Sequence, residues 1–129
     1  MDKIKSSIDL VKEANREIKT FKAEEIKPLL DKGQTNLIDI RDIRELWKEG
    51  TFENSMHIPR GMLEFWLDPD SQYFKNGTID ISKELILFCA GGLRSALAAN
   101  TLKEMGFKKV SHIDGGFSLM KNNGFTIIK

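Results

Sequence analysis

Apolar residues along this chain alternate between helical spacing and short continuous runs. Residues 7–19 carry apolar side chains three and four positions apart, which predicts an amphipathic helix. Residues 36–40 and 84–89 are mainly apolar runs that end beside polar side chains, as buried strands do. Residues 109–113 form a third predicted strand. These three runs are the clearest predicted strands of the chain.

The segments between the strands carry helix and turn signals. Pro28 is expected to bend or shorten the first of the intervening helices. Those helices cover residues 23–32, 42–49, 61–67, 94–105 and 117–122. Residues 20–21, 54–61 and 125–128 are predicted to be extended, and residues 68–80 to form a loop. The alternation of strands and helices predicts an α/β fold, with a mostly parallel central sheet and helices on both faces.

Composition narrows the class of protein. The 129 residues suit one compact domain, and 40% are hydrophobic while 30% are charged. With 20 basic and 19 acidic residues, the net charge of +1 predicts neither a nucleic-acid nor a membrane partner. A single cysteine excludes an intrachain disulfide and favours a reducing compartment. The charged N-terminus lacks a signal peptide's apolar stretch, so we expect a cytoplasmic location.

The strongest candidate for chemistry is the segment that follows the second strand. Cys89 ends that strand, Gly91 and Gly92 let the backbone curl, and a helix begins near Arg94. Inward-facing amides and the positive end of the helix would stabilise negative charge at the centre of this loop. We therefore expect a Cys89 thiol of lowered pKa that acts as a nucleophile. The hypothesis requires inward-facing amides and a thiol open to solvent.

Two further polar residues follow the first strand. Asp39 and Arg41 lie at its carboxyl end, as Cys89 does at the end of its own strand. In parallel sheets the binding crevice lies at this edge, so the three residues are expected to converge.

Four stretches of the chain resemble the rhodanese (thiosulfate sulfurtransferase) homology domain in its single-domain form. Cys89, Gly92, Arg94 and Ser95 match the family pattern Cys-x-x-Gly-x-Arg-Ser. The other stretches are residues 37–41, 57–61 and 113–117. The resemblance implies a rhodanese-like domain over residues 20–129, preceded by an N-terminal helical extension over residues 1–19. Arg60, Phe88 and Met120 depart from the family pattern and leave the substrate open.

The resemblance implies transfer of a sulfane sulfur through a persulfide on Cys89. The donor would be a small anion such as thiosulfate, and the acceptor a thiol, including a protein cysteine. The loop residues Ala90, Gly91, Gly92, Leu93, Arg94 and Ser95 would bind the persulfide. No cofactor and no metal is expected. An alternative is a persulfide carrier or regulatory module with little small-molecule turnover.

A tyrosine phosphatase is the main rival among enzymes with a cysteine in a loop of amides. Phosphatases place five residues between cysteine and arginine, whereas four residues separate Cys89 from Arg94. The shorter loop suits a sulfur atom better than a phosphoryl group.

The supporting residues have open roles at this stage. Arg94 has two possible roles, meeting the anionic donor and locking the loop by pairing with a carboxylate, and a mixture of the two is expected. Asp39 is expected to orient the loop, Arg41 to form a structural pair, and Ser95 to cap the helix in preference to bonding the sulfur. His57 and His112 are expected to be satisfied structural side chains. Trp47, Phe65, Trp66 and Phe117 are expected to line the core or the crevice.

Overall fold

The computed structural model describes residues 3–74 and 79–129. Part of the predicted loop 68–80, and the first two residues of the extension, lie outside the described residues. The helices are α1 (Ser7–Glu17), α2 (Ile26–Asp31), α3 (Ile43–Glu49), α4 (Leu63–Leu67), α5 (Leu93–Glu104) and α6 (Gly116–Met120). The segment expected to be short or bent at Pro28 consists of the 3-10 turn Ala23–Glu25 and the short helix α2, with Pro28 near the start of α2, where proline is tolerated.

Five strands form the central sheet, and all of its pairings are parallel. Its strands are β1 (Lys19–Phe21), β2 (Thr35–Asp39), β4 (Ser55–His57), β5 (Glu84–Phe88) and β6 (Val110–Ile113), in the order β1-β6-β5-β2-β4. Two short strands, β3 (Thr51–Phe52) and β7 (Ile127–Ile128), pair antiparallel beside it. The expected parallel sheet is confirmed, and the sequence-predicted extended segment 54–61 contains the edge strand β4.

Alternate residues of the central strands build two cores, one on each face of the sheet. Leu85 and Leu87 pack with residues of α4 and α5, whereas Ile86 and Phe88 pack with residues of α2 and α6. Helices therefore cover both faces, as predicted. Trp47 and Phe65, expected in the core or crevice wall, are instead 72% and 52% exposed.

The N-terminal helix α1 packs against α5. Val11 and Ala14 are buried against Ala96, and Ile18 and Leu97 border this small cluster. Ser6 begins α1 by accepting a hydrogen bond from the Asp9 amide at 3.0 Å, a standard N-cap. The extension is thus held close to the helix that begins at the cysteine loop.

Candidate active site

The sulfur of Cys89 lies where β5 passes into α5 and is surrounded by hydrogen-bond donors. The backbone amide of Gly92 points at Sγ from 3.1 Å and that of Ser95 from 3.4 Å. Both amides belong to the start of α5, whose first N–H groups have no partner within the helix. The inward-facing dipoles expected from the sequence are therefore present.

Gly92 allows the backbone to turn its amide toward the sulfur. Its φ is +100°, a left-handed conformation that side chains with a Cβ rarely adopt. A Cβ at this position would also lie 3.2 Å from the backbone nitrogen of Gly115. Glycine is therefore required both by the local turn and by the neighbouring loop.

The start of α6 holds the other side of the cysteine loop. The amide of Phe117 donates to the Cys89 carbonyl at 2.8 Å, and the amide of Ser118 donates to the Ala90 carbonyl at 3.1 Å. Gly116 permits this approach, because a Cβ there would lie 2.2 Å from the Cys89 carbonyl oxygen. These two bonds fix the peptide units of Ala90 and Gly91, and the Gly91 amide is one of those that lower the pKa of Cys89.

Opposing influences set the pKa of Cys89. Burial alone raises the pKa of the thiol, because it disfavours the charged form. Hydrogen bonds from the Ser95 hydroxyl and from the amides of Ser95, Gly92 and Gly91 act in the other direction and outweigh burial. The net effect lowers the pKa of Cys89, so the loop favours a thiolate.

The thiol is nevertheless buried. Cys89 exposes 1% of its surface, so the expectation of a thiol open to solvent is wrong for the resting loop. Gly91 and Leu93, on the rim of the loop, are exposed.

Ser95 contacts the sulfur instead of capping the helix. Its Oγ lies 3.5 Å from Sγ of Cys89 and 2.9 Å from Nδ1 of His112. The residue at the N-cap of α5 is Gly92, which makes no side-chain cap. The preferred sequence interpretation of Ser95 as a cap is wrong, and the alternative of contact with the sulfur is the one observed.

Arg94 is engaged by a carboxylate from another helix. Its guanidinium donates to both carboxylate oxygens of Glu45 in α3, at 2.8 and 3.0 Å. The same contact is the main cause of the lowered pKa of Glu45. Of the two roles left open by the sequence, the structure shows the pairing that ties the loop to α3.

Asp39 and Arg41 form a buried ion pair on the opposite face of the sheet from the Cys89 side chain. Arg41 donates to both oxygens of Asp39, at 2.8 to 3.2 Å, and neither side chain is exposed. The Asp39 carboxylate also accepts from the Thr51 hydroxyl at 2.7 Å. The Asp39 carboxylate therefore bonds to Arg41 and Thr51, and its expected role in orienting residues 90–95 stays a prediction.

The ion pair is nonetheless linked to the loop through Phe117. The Arg41 guanidinium lies 4.1 Å from the centre of the Phe117 ring, and the Phe117 amide holds the Cys89 carbonyl. Asp39, Arg41 and Cys89 thus lie at the same edge of the sheet. The Asp39 and Arg41 side chains lie on one face, and the Cys89 side chain lies on the other.

Sequence reasoning missed two partners of the site. Glu45 was seen only as part of a helix. His112 is a satisfied side chain as expected, with both ring nitrogens hydrogen-bonded, but its contact with Ser95 was not foreseen. Within the part of the chain that the structure describes, no three His, Cys, Asp or Glu residues are grouped to hold a metal ion. No helix among the described residues is long and apolar enough to span a membrane.

Several known proteins are similar to this chain, and their described functions differ. A structure from Rhodopseudomonas palustris CGA009, described as a protein of unknown function and possible tyrosine phosphatase, is 39% identical with a TM-score of 0.89; the match covers 99% of this chain and 98% of that one. The polysulfide-sulfur transferase of Wolinella succinogenes is 30% identical with a TM-score of 0.70, and the match covers 92% of this chain and 83% of that one.

Among curated proteins, the tRNA uridine(34) hydroxylase of Enterobacter sp. (strain 638) is 34% identical over 96 residues. The match covers 74% of this chain and 26% of the hydroxylase, so the chain spans about a quarter of that relative's length. The family model described as Rhodanese-like domain matches residues 22–123, which include the cysteine loop, the Asp39–Arg41 pair and the α6 turn. The chain belongs to the Rhodanese-like domain family.

Proposed function

We propose that this chain is a sulfurtransferase that carries a sulfane sulfur on Cys89. The observation that supports the proposal most directly is the position of Sγ, which accepts hydrogen bonds from the amides of Gly92 and Ser95. An environment that stabilises a thiolate also stabilises the terminal charge of a persulfide. The similarity to a polysulfide-sulfur transferase supports the same chemistry.

In the first step the Cys89 thiolate attacks the outer sulfur of a donor such as thiosulfate. A bond forms between the two sulfurs, the donor's own S–S bond breaks, and sulfite leaves with the electron pair. In the second step a thiolate acceptor attacks the outer sulfur of the persulfide and releases the Cys89 thiolate. Two-step transfer of this kind predicts ping-pong kinetics. Cys89 is the one cysteine of the chain, so the acceptor is an external thiol or a cysteine of another protein.

The proposal is tested by mass spectrometry after incubation with thiosulfate. Cys89 is expected to gain the mass of one sulfur atom, and cyanide or an external thiol is expected to remove it. The variant Cys89→Ser provides the control and is expected to gain nothing. Full transfer activity in Cys89→Ser would contradict the proposal.

Steady-state transfer from thiosulfate to cyanide separates a turnover enzyme from a persulfide carrier. An enzyme turns over the small donor many times, whereas a carrier is loaded once and discharges only to its protein partner. Loading without turnover would favour the carrier function.

Phosphatase activity is a second candidate, because the Rhodopseudomonas palustris protein is described as a possible tyrosine phosphatase. Four residues separate Cys89 from Arg94, and Arg94 is paired with Glu45. A loop this short suits a single sulfur atom better than the larger phosphoryl group. Hydrolysis of p-nitrophenyl phosphate that depends on Cys89 would favour the phosphatase.

Hydroxylation of tRNA is not part of the proposal. The chain spans about a quarter of the hydroxylase relatives, and its net charge of +1 provides no basic excess for binding phosphates.

A further inference from the structure

A continuous chain of hydrogen bonds connects the Cys89 sulfur with the N-terminal helix. Sγ lies 3.5 Å from Ser95 Oγ, which lies 2.9 Å from His112 Nδ1. The other ring nitrogen of His112, Nε2, lies 2.7 Å from Oδ1 of Asn15 in α1. The chain therefore crosses α5 and β6 and ends on a helix that precedes the residues matched by the family model.

The chemistry of these groups fixes the direction of each hydrogen bond in the uncharged state. A carboxamide oxygen only accepts, so the Nε2 atom that faces Asn15 carries a proton. A neutral imidazole then has its lone pair on Nδ1, which accepts the Ser95 hydroxyl proton. The oxygen of Ser95 is left to accept the S–H proton of Cys89, the direction in which this contact is oriented.

Ionisation of Cys89 requires these bonds to reverse, because a thiolate accepts and does not donate. We propose that the thiol loses its proton through Ser95 to His112, and that Asn15 is the positioning residue that holds the imidazole for this transfer. The S–H bond of Cys89 breaks and its proton passes to Ser95 Oγ. The original hydroxyl proton of Ser95 passes to His112 Nδ1. The products are a thiolate and an imidazolium with every hydrogen bond retained.

The charges around the relay are consistent with this role. Burial lowers the pKa of His112 to about 4, and nearby Asp114 acts in the opposite direction. The imidazole is therefore neutral in the resting protein, and because burial opposes its protonation, the imidazolium forms only together with the Cys89 thiolate. On the Cys89 side, the positive charge of Arg94 is the nearby ionic group that attracts the thiolate. The relay rests on the proposed function in one respect, namely that the Cys89 thiolate it produces is the group that accepts the sulfur from the donor.

The variant Asn15→Asp tests the relay by the sign of its effect. Asn15 is exposed, so the substitution leaves the fold intact. A carboxylate facing Nε2 stabilises the imidazolium, and the relay then lowers the pKa of Cys89 by about one unit, a roughly tenfold gain in thiolate below that pKa. Without a relay, the added negative charge leaves the pKa of Cys89 unchanged or raises it. The measurement is the pH dependence of alkylation at Cys89.

Two further variants show whether the effect passes through Ser95. Ser95→Ala retains the backbone amide that faces the sulfur but removes the hydroxyl, so Asn15→Asp is expected to have no lowering effect in that background. Persistence of the lowering in the double variant would overturn the relay. Ser7→Asp adds the same charge at an exposed position on α1 and is expected to leave the pKa of Cys89 unchanged.

NMR of the His112 ring nitrogens gives an independent test in the native protein. The proposal expects the neutral tautomer with its proton on Nε2, and a proton on Nδ1 would overturn it. All of these measurements follow proton binding and alkylation without a sulfur donor. If they succeed while no persulfide forms, the proposed function fails and the relay stands; if the pKa of Cys89 does not respond while sulfur transfer proceeds, the relay fails alone.

Discussion

The guanidinium of Arg94 donates hydrogen bonds to both carboxylate oxygens of Glu45, a residue of a different helix. Arg94 lies in the first turn of α5, beside the cysteine loop, and Glu45 lies in the first turn of α3. Glu45 also accepts the amide of Asp42 at 3.0 Å and so completes the capping box of α3. One carboxylate thus fixes the start of α3 and offsets the charge of an arginine that interacts with Cys89.

The variant Glu45→Gln is expected to strengthen binding of anionic donors. Glutamine retains an oxygen for the helix cap but removes the negative charge that offsets Arg94. Because this ion pair is partly exposed, its charge has a modest effect. We expect the KM of the variant for thiosulfate to be lower by about two- to fivefold, with kcat little changed. Steady-state kinetics at low and high salt provide the measurement, since salt should weaken the effect. An unchanged KM would show that Arg94 does not attract the donor.

The variant Gly92→Ala is expected to impair the site more than the fold. A side chain at φ +100° costs about 1 to 2 kcal/mol and displaces the amide that faces the sulfur. Loss of one such donor in other enzymes lowers kcat by about two to three orders of magnitude. Urea unfolding gives the stability change, and transfer kinetics and alkylation give the activity and the pKa of Cys89.

Gly33→Ala is the matched control for Gly92→Ala. Gly33 also has a positive φ, +69°, but no atom lies within 4 Å of its added Cβ. Its stability loss should be similar, while sulfur transfer and the pKa of Cys89 should be unchanged. Equal loss of activity in both variants would show that strain alone, and not the position of the Gly92 amide, is responsible.

The variant Asp39→Asn is expected to destabilise the fold without changing the pKa of Cys89. Removing the charge leaves the buried Arg41 without its main counter-charge, which typically costs about 3 kcal/mol or more. Chemical denaturation measures the loss. Asp42→Asn is the comparison, because the exposed pair of Asp42 with Arg44 contributes far less. A large change in the alkylation profile of Asp39→Asn would indicate a role of this pair in the sulfur site.

His112 is expected to make stability fall as the pH is lowered. Burial holds the pKa of His112 at about 4, below the 6.5 of an unperturbed histidine, so the unfolded chain binds the proton first. The stabilisation is complete above pH 6.5 and is lost as the pH falls toward 4, by up to about 3 kcal/mol. Unfolding of the native protein and of His112→Gln across this window isolates the contribution. Parallel pH curves for the two proteins would contradict it.

Much of the fold follows from local patterns in the chain. The apolar runs that became β2 and β5 and the glycines after Cys89 act over a few residues, so they could be recognised directly. The edge strand β4 was recognised only as an extended segment, because Pro59 soon follows it and its residues are only half-buried. The short pair of β3 and β7 was not predicted as a pair, since its partners are remote in the sequence.

The contacts among the residues of the site could not be predicted from such local patterns. Glu45 is 49 residues from Arg94, and Asn15 is 97 residues from His112, so no spacing rule connects them. Ser95 resembled a helix cap because serine at the start of a helix commonly serves as one, whereas a glycine with positive φ took that position. The burial of Cys89 likewise depends on how distant segments close around the loop.

The two bonds from α6 to the cysteine loop carry a consequence for the newly made protein. The carbonyls of Cys89 and Ala90 are held by residues more than 25 positions downstream, which a ribosome adds after the loop itself. Until those residues are in place, the loop lacks the two hydrogen bonds that hold its carbonyls. The complete cysteine loop therefore depends on residues that are synthesised after it.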